Sequence, residues 1–236
     1  MLEAVKLTKD FGSHRALDTL DLRVDPGEIV CLLGANGAGK TTTINLFLGF
    51  LEPSSGEARV DGVDVRADPV GTKRKLLYVP EQIALFGELT GIENLAYFAA
   101  LSGIADRSNA HLRECLWKAG LAEAAMTRRA SCYSKGMRQK VGLALAIAKQ
   151  ARALLLDEPT SGLDPQASAE FHDLLVRQRD AGAAVLMVTH DLFRAREVGT
   201  RIGVMRDGQL RRMINAVDIS AAQLEALYLE EMGVVA

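Results

Sequence analysis

The sequence predicts an α/β fold: a mostly parallel sheet with an antiparallel β edge and an inserted helical subdomain. Three observations predict it. Short apolar runs, EIVCLL (28–33), ALLLD (153–157) and AVLMVT (184–189), have the composition of strands buried on both faces, as parallel strands covered by helices are. Helical stretches separate these runs, and that alternation points to a parallel sheet with helices on both sides. Two Asp-Gly pairs, Asp61-Gly62 between EARV and VDV and Asp207-Gly208 between IGVM and QL, read as tight hairpin turns and place antiparallel strands at an edge.

Residues 86–148 follow a different pattern. GIENLAYFAALSG, SNAHLRECLWKAGL and GMRQKVGLALAIAKQ carry helical spacing without a convincing strand, so this stretch reads as a helical subdomain between core segments 1–85 and 149–236. The tail ISAAQLEALYLEEMG (219–233) reads as a closing amphipathic helix. No low-complexity tract, internal repeat or long linker breaks the chain, and a single domain is expected.

The composition narrows the function classes. At 236 residues, with 48% hydrophobic and 25% charged residues, the chain has ordinary globular composition and enough length for a full core. Its formal net charge of -2 leaves no electrostatic footprint for nucleic acid, and no nucleic-acid partner is expected. The three cysteines, Cys31, Cys115 and Cys132, form no CxxC pair, which fits a reducing cytosol. No signal peptide is read before MLEAVKLTK, and the longest apolar runs, such as VGLALAIA (141–148), fall short of the roughly 18 residues a membrane span needs. Attachment to the cytoplasmic face of a membrane is therefore expected only through a partner.

The strongest local signal is GANGAGKT, Gly34 to Thr41, after one apolar strand and before TTINLFLGF. It matches the phosphate-loop pattern in the strand-then-helix context that the pattern requires. Gly34, Gly37 and Gly39 let the backbone curl, so that N–H groups through Asn36, Ala38 and Thr42 face phosphate oxygens at the positive end of a helix. Lys40 is placed to reach β- and γ-phosphates and Thr41 to bind Mg²⁺. The strand ALLLD supplies the remaining chemistry. Asp157 ends it, placed to hold the Mg²⁺ shell, and Glu158 follows with a carboxylate that can orient and deprotonate a water. Adjacent acids at a strand's carboxyl end lie where open α/β sheets bind ligands.

GANGAGKT, YSKGMRQK (133–140), LLLDEPTSGLD (154–164) and VTH (188–190) together resemble the ordered motif set of ATP-binding-cassette ATPase domains over nearly the whole chain. The resemblance implies ATP and Mg²⁺ as cofactors and a role for each matching residue. Phe11 stacks on adenine, Asp164 sits at a dimer interface and His190 touches the γ-phosphate. Ser134 and Gly136 bind the γ-phosphate of ATP held by the opposite subunit, so two chains face head to tail. Tyr133, Lys135 and Met137 complete that interface segment. A serine at a helix start is also an ordinary cap, which is compatible with the same role.

Two departures from the family pattern stand out. Its usual leucine-serine-glycine-glycine-glutamine signature reads Tyr133-Ser134-Lys135-Gly136-Met137 here, a version similar to that of ATPase subunits of two-component exporters. In YVPEQ (78–82), Glu81 stands where the family usually has glutamine; the switch-loop role, ligating Mg²⁺ or positioning water, falls to Glu81 or to Gln82. Phe86 and Leu89, in IALFGELTGIENLAYF, either receive a short helix of a transmembrane permease or belong to the core. The implied function is the ATP-hydrolysing subunit of a membrane exporter, paired with a second, identical subunit beneath separate transmembrane chains. Soluble cassette ATPases acting on ribosomes or DNA are the competing class. The first usually carry two cassettes, whereas this chain has one phosphate loop. The second need a long coiled-coil insertion, whereas only about ninety residues without sustained heptads separate the phosphate loop from the signature.

Overall fold

The computed structural model describes residues 1–233. Its elements in chain order are β1 (Leu2–Phe11), β2 (His14–Val24), β3 (Ile29–Leu33), α1 (Lys40–Phe47), β4 (Ser55–Val60), β5 (Val63–Asp64), α2 (Pro69–Lys75), β6 (Leu76–Val79), α3 (Gly91–Leu101), α4 (Asn109–Lys118) and α5 (Glu123–Met126). They continue with α6 (Lys135–Lys149), β7 (Ala153–Asp157), α7 (Pro165–Asp180), β8 (Ala184–Thr189), α8 (Leu192–Val198), β9 (Arg201–Arg206), β10 (Gln209–Asn215) and α9 (Ala221–Met232). The chain divides into two compact units. One comprises Met1–Tyr78, Arg152–Glu158 and the chain from Arg179 onward; the other comprises Val79–Ala151 and Pro159–Gln178.

The first unit is built on sheets. The predicted apolar runs become β3, β7 and β8, in which every residue but Asp157 is buried. They pair in parallel within the six-stranded order β10-β9-β3-β8-β7-β6. Parallel strands need a cover on both faces, which is why these runs are apolar throughout rather than alternating. The expected antiparallel component is present twice. β10 returns along β9 through Asp207-Gly208, and β5 returns along β4 through Asp61-Gly62, all four turn residues at positive φ as a two-residue hairpin requires. β4 and β5 belong to a separate four-stranded antiparallel sheet, β2-β1-β4-β5. The core of the unit joins both sheets and α1 through Leu17, Leu20, Val30, Leu32, Ile44 and Phe47.

The second unit is helical, and its helices α3, α4 and α6 begin on caps that the sequence specifies. Ser134 accepts from the Met137 N–H at the head of α6, Ser108 from His111 N–H at α4, and Thr90 and Glu93 form a reciprocal capping box at α3. α6 ends at Gln150 in the left-handed region. The tail helix α9, in the first unit, starts on a second capping box, Ser220 with Gln223, and buries Leu224.

Candidate functional site

Loop 34–39 leaves the buried end of β3 and enters α1 at Lys40. Its glycines are needed for different reasons. Gly37 and Gly39 lie at φ 84° and 100°, where a side chain strains the backbone, and a Cβ on Gly34 would come within 2.6 Å of the Met205 carbonyl oxygen. The loop therefore closes tightly, leaving the first amides of α1 without helical acceptors, as a phosphate cradle requires. Lys40 is only 7% exposed, and its Nζ donates to the carbonyls of Gly34 and Ala35. Burial pulls its ammonium below the usual lysine range, while the carboxylates of Glu158 and Asp157 pull it back up. Phe11, His14, Ala16 and residues 35–42, Thr41 and Thr42 included, line one concavity of about 320 Å³. Phe11, at the end of β1, is half exposed, and the Lys9 ammonium lies 5.0 Å from its ring centroid.

Asp157 and Glu158 stand at the carboxyl end of β7, the edge shared with β3 and β8. Tyr78 lies against Asp157; burial and then this carboxylate push its phenol up, and the two are hydrogen-bonded. Glu158 occupies the left-handed region at φ 45° and donates its N–H to the Val188 carbonyl at 2.9 Å. A non-glycine residue there is held by its surroundings. The hydroxyl of Thr189 donates to Glu158 Oε2 at 3.0 Å, and His190 Nδ1 lies 2.8 Å from Oε1. Thr189 Oγ1 in turn accepts from the Asp191 N–H at 3.1 Å. Both carboxylate oxygens are thus fixed. Neither Thr189 nor Tyr78 is picked out by sequence reasoning, although Thr189 directly precedes His190 in the motif and Tyr78 stands two residues before Pro80.

Lys40, Thr41, Asp157, Glu158, His190 and Phe11 all lie in the first unit; Glu81, Gln82, Phe86, Leu89, Ser134, Gly136 and Asp164 lie in the second. Ser134 is exposed at the head of the 15-residue α6. Gly136 packs face to face with α7: a Cβ there would stand 3.2 Å from that of Ala167. Asp164 is exposed and caps the start of α7 by accepting from Ala167 N–H at 2.8 Å. Tyr133, expected in the interface segment, turns its ring inward. It is buried, its hydroxyl donates to the Ala125 carbonyl at 2.6 Å, and only a glycine at position 91 leaves room for it. Lys135 and Met137 are half-buried. Glu81 and Gln82 are exposed, and Glu81 faces Lys135. Phe86 is exposed and packs edge-on to Tyr97 at 4.8 Å between centroids, whereas Leu89 is half-buried. The buried amide of Asn94 fixes this segment, bonding the Phe86 N–H and the carbonyls of Phe86 and Leu89.

Comparison with known proteins shows the family. Residues 17–161 match the family pattern ABC_tran, described as ABC transporter. The chain is 36% identical over 210 residues to the daunorubicin/doxorubicin resistance ATP-binding protein DrrA of Streptomyces peucetius, covering 89% of this chain and 63% of that protein. It is 35% identical over 215 residues to the spermidine/putrescine import ATP-binding protein PotA of Pseudomonas aeruginosa, covering 90% of this chain and 59% of that one. It thus spans less than two thirds of the length of either relative. Among solved structures it is similar to a dimeric ATP-binding cassette in a post-hydrolysis state bound to ADP and Pi, with a TM-score of 0.80, 28% identity, and coverage of 92% of this chain and 99% of that one. A phosphate loop folded as that role requires, paired acids at the end of β7 in the same sheet and a family match over residues 17–161, more than half of the chain, place the chain in the ABC transporter family, as an ATP-binding cassette.

Proposed function

We propose that the chain is the ATP-hydrolysing subunit of a membrane exporter, closing with a second copy around two ATP molecules and driving separate transmembrane permease subunits. The observation that carries this reading is the fixed carboxylate of Glu158, held by Thr189 and His190 at the end of a strand that pairs with β8, which also borders β3 and its phosphate loop. Phe11 stacks on adenine, the N–H groups from Asn36 to Thr42 surround the phosphates, and Lys40 turns its ammonium from the loop carbonyls to the β- and γ-phosphates. The attacking water gives a proton to Glu158 as its oxygen bonds to the γ-phosphorus, and the bond to the bridging oxygen of ADP breaks. His190 fixes the glutamate and faces the γ-phosphate.

Thr41 and Asp157 suit Mg²⁺: they offer oxygen donors only, and the described residues hold no cluster of three or more acids, histidines or cysteines that would make an all-protein cage. Held by Thr41 and Asp157, the ion would neutralise charge developing on the transferred group.

Ser134 and Gly136 contact the γ-phosphate on the opposite chain, with Lys135, Met137 and Asp164 beside them. Phe86 and Leu89 receive the permease. No helix among the described residues is long and apolar enough to cross a membrane, which fits a peripheral subunit. Export is favoured by the YSKGMRQK signature and by the resistance role in the name of the Streptomyces peucetius relative; the import protein PotA supports transport in the other direction.

Glu158→Gln tests the reading. It keeps the phosphate contacts while removing the base, so ATP binding persists, turnover falls by about 10²–10⁴-fold, and an ATP-dependent dimer accumulates on size-exclusion chromatography. A variant that stays monomeric with saturating ATP sinks the shared-site reading.

A further inference from the structure

Two of the positions at which this chain departs from its family pattern, Glu81 and Lys135, touch. Lys135 Nζ lies 3.5 Å from Glu81 Oε1. The next residue on the same face of α6, Gln139, is 1% exposed, and its Nε2 donates to the carbonyls of Pro80 at 3.3 Å and Glu81 at 3.1 Å. Turning that amide over would set its oxygen against two carbonyls, so the orientation is fixed by its partners. Further along the face, a Cβ on Gly142 would lie 2.3 Å from Ile83 Cδ1 and 3.9 Å from Val79 Cγ1. Positions 135, 139 and 142 follow the i, i+4, i+7 spacing of one helical stripe. All of these residues belong to the same compact unit.

We propose that this stripe clamps the loop at 80–83 to the first two turns of α6, and that Glu81 is a positioning residue whose partner is Lys135 rather than a metal ligand. Glycine at position 135 offers no charge, and glutamine at 81 needs none; a lysine and a glutamate replace them with a complementary pair. The loop and the Ser134 end of α6 then shift as one body. Any movement that nucleotide imposes on one is passed to the other through three contacts of different kinds: an ion pair, a buried amide and close packing at a glycine.

The test uses the full chain with Glu81→Lys, Lys135→Glu, the double exchange, Lys135→Met and Glu81→Gln. Hydrogen exchange across residues 80–85 in the nucleotide-free protein reads the clamp directly. Each single charge variant speeds it about two- to fivefold, the scale of an exposed pair, and the double exchange returns it to the wild-type rate. Unchanged exchange in the single variants, or no recovery in the double, overturns the proposal. Steady-state hydrolysis is the second readout and rests on the function proposed above: kcat falls in the single variants and recovers in the double, while half-saturating Mg²⁺ stays fixed in Glu81→Gln. A tenfold rise in that Mg²⁺ requirement, absent from Lys135→Met, makes Glu81 a metal ligand and ends the pairing assignment. A wild-type chain that hydrolyses no ATP removes the functional reading, while the exchange measurement still decides the clamp.

Discussion

In the unit that carries the phosphate loop, polar groups are held from several sides. Thr189 is 2% exposed, donates a hydrogen bond to Glu158 and accepts one from the Asp191 amide, and Lys40 is nearly as buried. In the unit that carries Ser134, the corresponding groups stand at helix starts and on the surface: Ser134 and Asp164 each cap a helix, and Glu81 meets Lys135 with side chains 47% and 29% exposed. The contrast follows from architecture. Side chains at the carboxyl ends of parallel strands are walled in by neighbouring strands and can be fixed before any ligand arrives, the condition for electrostatic preorganisation. Helix starts leave amides and cap hydroxyls facing outward, where they serve whatever docks against them. One unit fixes its polar groups within itself; the other holds them at helix starts and on its surface.

Among changes that leave Glu158, Lys40 and Ser134 in place, the largest effect is expected where the buried set is opened. Thr189→Val keeps the shape of the side chain and its strand position but removes the hydroxyl, leaving Glu158 Oε2 without its donor and the Asp191 amide without its acceptor. A hydrogen bond to a charged group contributes about 1.5–3 kcal/mol, so kcat should fall tenfold or more with KM for ATP unchanged. Thr189→Ser should restore most of it. Equal turnover in the valine variant would break the contrast, since Glu158 would then be oriented without this contact.

The sequence made the first unit legible where burial is two-sided. β3, β7 and β8 are visible as apolar runs because helices and strands leave them no polar face, and the two Asp-Gly turns declare their hairpins. The β1–β2 hairpin is not visible, for a physical reason. Its register shifts between Ala4 and Leu7 and twice more before Phe11, and Lys6 and Thr19 take positive φ, so the period-2 alternation that marks a half-buried strand is broken. β6 is hidden by its length of four residues directly after the basic end of α2. The site's residue types were legible as motifs, but their contacts were not: Glu81 and Lys135 are 54 positions apart, and nothing in either motif states which helix face meets which loop. Tyr133 shows the limit of motif reading, since its ring fills a gap left by Gly91 whatever its neighbours do.

An effect of about fourfold tests whether the outward-facing groups serve a second chain. Lys40→Ala removes the ammonium proposed to face the phosphates held by its own loop, and Ser134→Arg puts bulk and charge where the partner's γ-phosphate is proposed to sit. Each variant alone is expected to be inactive. Mixed at equal amounts, half the dimers pair the intact loop of one chain with the intact signature of the other, rebuilding one site of two. Activity should recover to about a quarter of wild type if one site turns over independently. No recovery in mixed dimers that still close on ATP indicates that both sites must fire together. No recovery and no closure would make the two units self-sufficient and dissolve the distinction between them.

The smallest effect concerns how the second unit holds itself together. Lys140 on α6 and Glu170 on α7 form an ion pair at 2.6 Å, with Gln166 donating to the other carboxylate oxygen at 3.1 Å. Lys140 and then Gln166 hold the Glu170 carboxyl below its ordinary range. A depressed carboxyl stabilises the fold fully above its unfolded pKa, about 4.3, and the contribution is lost as pH falls through the folded value. Glu170 is 44% exposed at its side chain, so solvent screening limits the pair to about 0.5 kcal/mol. Glu170→Gln should therefore lower Tm by only about 1–2 °C at pH 7, and the gap from wild type should close in acid, where the wild-type carboxyl is also neutral. A gap that persists in acid would mean that the α6–α7 contact depends on packing at this position rather than on charge. The close approach of Gly136 to Ala167 would then be the stronger tie between the signature helix and α7, and the second unit would resemble the first more than its exposed ion pairs suggest.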